Sequence, residues 1–489
     1  MEVKGAIRTA ALTALSAAPG YRSASFETEP GEISLYLRWH KEHAPMFALA
    51  VLYDPEERLR LNKWIRAGET VSLGAEREDI VIGGVPGRIP AGQWEIRLYL
   101  PLLTDGNSYP DIYIERTAPD VQLEPGQSSS DSDNGVLLAG YSHRNTVNTA
   151  ERWYKGDFHT HTILSDGKES VASATEKAER MGLDFYVPTE HNVMHTAWAE
   201  TRMLIVPGIE VTGLCGHFNV FGLDSHPNGF YDPRNWESGF IASGAINDLL
   251  KICRSNGGVC SLNHPFLREW SWTIPDTPLD LFHAVEIIND PTYTYAEESN
   301  EKALAFWNRM LNDGRVICGI GGSDSHNLED ERYEGAFEPS IPGDPATWVY
   351  CKGLRGGKLL NSVRTGHIYV TRRGAKLNIS GKADGIAVLP GNRVPVGANI
   401  ELRAAATEFG SNSAITIQWI VNGKVCGEDR LLPSDSTASY GLRANGEYGW
   451  VRADLRSADG TLIGFVNPLR WGVKVPSLIR FEDAAAGIA

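Results

Sequence analysis

The chain has 489 residues, enough for about three domains, and its 42% hydrophobic and 22% charged content is that of a packed globular protein rather than a disordered one. A formal net charge of −15 argues against a broad basic face for gripping nucleic acid, yet leaves room for a local cationic pocket or a metal centre. No apolar run reaches the roughly 20 residues that span a bilayer, and the six cysteines lack any C-x-x-C pair. Reduced thiols in a cytoplasmic protein are the expectation, with no membrane and no nucleic acid as partner; the oligomeric state stays open.

In chain order, Ile33, Leu35, Leu37 and Trp39 alternate with polar neighbours, and Trp94, Ile96, Leu98 and Leu100 repeat the pattern. Period-two alternation between Gly- and Pro-rich turns predicts an N-terminal β-rich domain over 1–125. The Ser- and Asp-rich run 127–135 has no apolar period and reads as part of a linker, 126–150. Within 151–370 the character changes. Val171, Ala174, Ala178 and Met181 follow helical spacing, and a strand is expected over 183–188. Ser243 is the expected N-cap of a helix burying Ile246, Leu249, Leu250 and Cys253, with a strand over 259–263 after it. Ser299 is read as the cap of a third helix, followed by a strand over 316–321. Alternating helix and strand with short connections is the signature of a parallel β/α architecture. From 371 to 489 the β pattern returns, with Asn422-Gly423 and residues 458–461 as hairpin turns, and predicts a β-sandwich-like domain.

The histidines carry the chemistry. Nine of 13 lie between His159 and His326, and five predicted strands end in His, Asp or Glu. His159 and His161 close the first, with Asp166 five residues on; His191 follows Glu190; Glu210 ends the next; His264 follows Asn263; Asp324 and His326 close the last. His217 opens a further strand. In a β/α barrel the C-terminal strand ends open onto one face, and side chains two apart on a strand point the same way. His159 with His161, and Asp324 with His326, can therefore chelate. Mixed imidazole and carboxylate suits Zn, Mn or Fe better than Ca. His195, His226 and His283 lack this placement and are read as surface or pocket-rim residues.

The ordered series H-x-H…S-D-G, T-E-H-N, P-G-I-E-V-T, G-H-F-N-V-F-G, N-H-P and G-S-D-S-H over 153–370 resembles the PHP (polymerase and histidinol phosphatase) superfamily, and within it the CehA/McbA-like metallohydrolases. The resemblance implies an α/β fold, a distorted (β/α)7 PHP barrel flanked by N-terminal and C-terminal mainly-β domains, holding two or three divalent ions. By that resemblance His159, His161, Glu210 and Asp324 hold the first ion; Glu210, His217 and His264 hold the second, so Glu210 bridges; Asp166, His191 and His326 hold the third. Asp166 stands where many relatives have histidine.

Glu190 should point away from His191 on a strand, which suggests an orienting role or core pairing. Asp157 is in phase with His159 and either holds an imidazole or caps a strand start. Asn192, Asn263 and Arg268 are candidate substrate contacts, with Lys155 and Arg332 near enough in sequence to line the pocket. Trp270, Trp272 and Phe266 either wall the pocket for an aryl group or pack a long loop. Three divalent ions would outweigh the three carboxylates and leave about +3 in an acidic protein, which favours a small anionic substrate. The expected reaction is phosphoester hydrolysis by a metal-bridging hydroxide, with Glu210 and Asp324 as the catalytic carboxylates and Asp324 able to take its proton. The alternative is carbamate, amide or ester hydrolysis.

Overall fold

The structure is a computed structural model that describes residues 10–11, 21–28, 34–39, 47–66, 69–74, 82–100, 112–117, 141–372, 375–407, 415–431 and 437–488. The polar run 127–135 lies outside the described residues. Near the N-terminus, Tyr21–Thr28, Gly92–Tyr99, Phe47–Tyr53 and Leu59–Arg66 form an antiparallel sheet in that order. A second sheet orders Ala10–Ala11, Ile112–Thr117, Ser34–Trp39 and Thr70–Gly74. Alternation decides which face is buried: Trp94, Ile96 and Leu98 meet Phe26, Leu52, Val71 and Leu73 in one apolar core.

The middle of the chain is mixed α/β. Asn148–Asp157, Phe185–Tyr186 and Leu204–Ile205 run parallel. Gly208–Gly213 and Gly216–Phe221 form a hairpin, Val259–Leu262 pairs antiparallel to it, and Ala284–Asn289 and Cys318–Gly322 continue in parallel. The last three strands are buried along their whole length, which is why apolar residues and glycine dominate them, with Ser261, Glu286 and Asn289 as the polar exceptions. Single bridges, Thr160 to Ser325 and His191 to Glu210, join the two sheets beyond their regular strands. Helices Val171–Arg180, Ser243–Ser255 and Ala296–Asn312 connect them.

Two helix starts differ from expectation. Ser243 is the first residue of its helix, and Ala242 occupies the cap without a side-chain bond. The third helix begins at Ala296, so Ser299 lies inside it, buried. Glu297 and Glu298 in its first turn complement the helix dipole, which permits the earlier start. No described helix is long and apolar enough to cross a membrane.

The C-terminal strands do not stand apart. Ala346–Leu354 pairs with both Asn148–Asp157 and Ile368–Thr371, and the latter pairs with Leu462–Val466, so one sheet crosses residue 371. A four-stranded sheet, Ile386–Val388, Lys376–Ala383, Asn399–Thr407 and Thr437–Arg443, faces it over a core containing Leu377, Ile400, Ile417, Trp419 and Leu455. A larger core reaches from Trp64 and Tyr99 through the middle strands to Trp450 and Phe465.

Candidate metal centre

All nine predicted ligands come together. Each belongs to at least one of four groups whose donor atoms lie within 4.8 Å of one another: His161–Asp166–His191–His326, His159–His161–Glu210, His159–His264–Asp324 and His191–Glu210–His217. The strand ends explain this, because His159 and His161, Glu210, His264, and Asp324 with His326 emerge beside the bridges that join the sheets. The grouping departs from the expected one at three points: His161 also joins Asp166, His191 and His326; His191 also stands beside Glu210 and His217; and His264 groups with His159 and Asp324. His217 Nδ1 and His264 Nε2 still approach the same oxygen, Glu210 Oε1, at 3.2 and 3.4 Å.

Glu210 is the hub. Its Oε1 lies 3.2 Å from His159 Nε2, and its Oε2 lies 2.8 Å from His191 Nδ1 and 3.4 Å from His161 Nε2. Asp324 Oδ1 is 3.2 Å from His159 Nε2 and 3.0 Å from His161 Nε2. Asp166 Oδ1 lies 3.4 Å from His191 Nε2 and 3.3 Å from His326 Nε2. Ligand bonds of about 2.1 Å place neighbouring donor atoms about 3.0 to 3.4 Å apart in octahedral or tetrahedral arrangements. The residues fit the group on a second count. His159 Nε2, His161 Nε2, Glu210 Oε2 and Asp324 Oδ1 are buried without a hydrogen-bond partner among the described residues. Such atoms are costly unless something else satisfies them, and a cation does.

Backbone strain gathers in the same place. His264 and Asp324 themselves adopt positive φ, 23° and 50°, as do Asn192 at 58° and Asp290 at 29°. Non-glycine residues in this region are held there by their surroundings, and they cluster at functional sites.

Electrostatics follow the geometry. Burial opposes charge on every carboxylate here, yet His159, His217 and His191 hold Glu210 well below the ordinary range, and His159 with His161 and His326 does the same for Asp324. Asp166 is likewise held low by His191 and His326 against burial. His161 is pushed down to about 4 by burial and by the neighbouring His326 and His191, so it is neutral and ready to ligate. Burial works against His326 as well, but Asp166 raises it to about 9.

Supporting residues surround the ligands. Glu286 accepts the Nδ1 proton of His159 at 2.7 Å and, through its other oxygen, the backbone N–H of His264 at 3.1 Å. Sequence reading missed it; the signal was a lone glutamate in the apolar strand A-V-E-I-I-N. Glu190 turns away from the ligands, accepting from Thr162 N, Ser165 N and His195 Nε2. His195 is therefore a buried partner of Glu190 and not a rim residue, because its imidazole satisfies a carboxylate that burial would otherwise penalise. Asp157 binds no imidazole: it accepts the backbone N–H groups of His159, Ser323 and Gly343.

The expected substrate contacts have protein partners of their own. Both ends of the Asn192 carboxamide are engaged by Thr212 backbone groups, at 3.0 and 2.8 Å. Asn263 donates to Glu210 Oε1 at 2.9 Å and accepts from Asn219 N at 3.2 Å, so it braces the hub. The Arg268 guanidinium lies 3.8 Å from the Tyr295 ring centre and 4.0 Å from Glu298. Lys155 donates to Met181 O, and Arg332 to Phe337 O and Asp330 O. Trp272 is buried against Phe282 and Phe481, and Phe266 packs on Phe306 and Phe481; both belong to the core, while Trp270 is exposed beside Tyr293. Among the described residues, the ion pairs of Glu210, Asp324 and Asp166 involve histidines alone.

No family model matches the sequence, and no curated protein does. Among solved structures the chain is similar to a two-domain protein from Bacteroides vulgatus, described as containing a predicted PHP-like metal-dependent phosphoesterase, at 16% identity over 68% of this chain and 100% of that one, with a TM-score of 0.36. It is also similar to a protein from Bifidobacterium adolescentis described as a metal-dependent phosphoesterase, at 15% identity over 38% of this chain and 92% of that one, TM-score 0.25. A third likeness is to an amidohydrolase from Chromobacterium violaceum with bound sulfate and no metal, at 12% identity over 45% and 98%, TM-score 0.24.

Proposed function

We propose that this chain is a metal-dependent hydrolase of the PHP kind, in its CehA/McbA-like branch, acting on small phosphoesters. The observation that carries this reading is the convergence of six histidines and three carboxylates, nine side chains in all, with unpartnered donor atoms aimed at one another. In this reading the bridged sheets form a distorted seven-stranded β/α barrel, and the cluster sits at its C-terminal strand ends.

His159, His161, Glu210 and Asp324 would hold one ion, Glu210, His217 and His264 a second, and Asp166, His191 and His326 a third, of Mn, Zn or Fe. When bound, the ions supply a nucleophile ionised near neutral pH and positive charge for the developing phosphorus oxygens. Glu210 spans the inner positions with both oxygens. Asp324, kept ionised by its histidines, would take the proton from the attacking water. Arg268 lies against Tyr295 and Glu298, and in this reading anion recognition falls to the ions. A positive centre in a chain of net charge −15 selects a compact anion.

The test is turnover of Mn- and Zn-loaded protein on a chromogenic phosphomonoester, a phosphodiester and an aryl carbamate. A metal-dependent preference for either phosphoester of about 100-fold, about 2.7 kcal/mol in the barrier, is expected. Preference for the carbamate would overturn the phosphoester assignment.

A further inference from the structure

The nine side chains are not covered evenly. Those of His159, His161 and Glu210 are wholly buried, whereas Asp166, His191 and His326 keep 44%, 17% and 25% of their exposure. Two of this outer trio stand on the loops 162–166 and 191–196, and one N-terminal strand touches both. In Leu59–Arg66, the backbone N–H of Trp64 donates to Leu164 O at 3.3 Å, and its indole Nε1 donates to His191 O at 2.6 Å. Asn62 Oδ1 accepts the backbone N–H of Met194 at 2.9 Å. Beside it, Thr196 Oγ1 donates to Gly84 O at 2.8 Å. Gly83 brings this turn close, since a Cβ there would meet both Asn62 O and the Leu164 side chain.

The Asn62 and Thr196 bonds are buried and the Trp64 side chain is 2% exposed, so losing one of these bonds leaves a largely buried group unsatisfied and lets its partner loop shift. The loop carrying Asp166 is held on its inner side by Glu190 through Thr162 and Ser165, and on its outer side by Trp64 through Leu164. A metal site tolerates displacements of only a few tenths of an ångström in its ligands.

We propose that the N-terminal strand Leu59–Arg66 sets the affinity of the outer trio Asp166–His191–His326 for a divalent ion, with Trp64 and Asn62 as positioning residues; this rests on the metal reading above. The inner side chains His159, His264 and Glu210 are held instead by Glu286 and Asn263. The flanking domain thus tunes one ion of the centre.

The experiment titrates the metal-free full chain with Mn2+, counting bound ions by elemental analysis and reading free Mn2+ by electron paramagnetic resonance. Wild type is expected to take three ions. Trp64→Phe, which keeps the ring and loses the N–H donor, should weaken one of them 10- to 100-fold and leave two unchanged. Thr196→Val, close in shape and without the hydroxyl, should weaken the same ion by less and serves if Trp64→Phe does not fold. Asp166→Asn identifies that ion as the one lost. Variants that bind all three ions as wild type does, or that weaken all three alike, overturn this inference and leave the metal reading standing. A wild-type chain that binds no Mn2+ overturns the metal reading, and one that binds two, unchanged by Asp166→Asn, removes the outer site and this inference with it.

Discussion

His159 and Glu286 form a wholly buried pair in which Nδ1 donates to Oε1 across 2.7 Å. The bond fixes the ring so that Nε2 faces Glu210 Oε1 and Asp324 Oδ1, each 3.2 Å away. It also explains why Gly322 precedes Ser323 and Asp324: a Cβ at that position would collide with His159 Cβ and Glu286 Oε1. Three strands are thereby locked at one point, since Glu286 also holds the His264 backbone.

Glu286→Gln should weaken metal binding about 10- to 100-fold while the protein stays folded. The amide keeps the shape and an acceptor for Nδ1, but removes the charge that makes His159 a strong donor to a cation. Competition with a chromogenic chelator measures it, with circular dichroism as the control for folding. Unchanged affinity would reduce the pair to a packing role.

Glu210→Gln should cost more. Five histidines lie within 3.4 Å of its two oxygens, and Asn263 adds a bond at 2.9 Å. A neutral amide cannot serve two cations, so at least one ion is lost and turnover falls by 100-fold or more, about 2.7 kcal/mol in the barrier. Elemental analysis paired with steady-state rates checks this. Turnover that survives with full metal content rules out the bridging role.

The nine clustered side chains were legible because their residue types are rare at strand ends and strand periodicity places them. What surrounds them was harder to read. Glu286 lies 127 positions from His159, and a buried glutamate in a strand looks the same whether it holds an imidazole or a backbone. Asn192 has a left-handed backbone that asparagine tolerates, so its place beside His191 reflects turn geometry as much as chemistry. The link from Trp64 to His191 runs to a carbonyl, which every residue possesses, and no side-chain pattern encodes it. The β character of the outer segments was visible in their alternation. The sheet crossing residue 371 was not, because strand pairing between Ile368–Thr371 and Leu462–Val466 leaves no local signature.

Glu190 supplies the pH prediction. Burial raises its pKa, but His195 and the Ser165 hydroxyl outweigh burial and bring the carboxyl down to about 2 from 4.5. A folded value below the unfolded one means stability that is present above pH 4.5 and lost as pH falls toward 2. At neutral pH, Glu190→Gln should therefore cost about 3 kcal/mol. The gap between wild type and variant should stay constant from pH 7 to about 5 and narrow below 4.5. Urea unfolding across that range tests the sign, and a gap that widens on acidification would refute it.

The C-terminal module is held to the middle of the chain by a buried charge network. Arg452, 2% exposed, donates to Asp454 through Nε at 2.6 Å and Nη2 at 2.9 Å, and to Asn308 Oδ1 on the helix Ala296–Asn312 at 2.6 Å. Its guanidinium also lies 4.6 Å from the Trp307 ring centre and 5.1 Å from that of Trp450. Arg452→Met keeps most of the packing volume but strands Asp454, 1% exposed, without its counter-charge. Removing one partner of such a pair costs about 3–5 kcal/mol, whereas replacing both with apolar residues is often neutral. The double variant Arg452→Met/Asp454→Leu should recover most of the loss, as read by unfolding followed through tryptophan fluorescence. If the single and double variants are equally destabilised, the arginine acts through its stacking on the two tryptophans and not through its charge. Metal content should be unchanged in both, because the bonds of Arg452 run to Asp454 and Asn308 and not to Glu286, Asn263 or the clustered side chains.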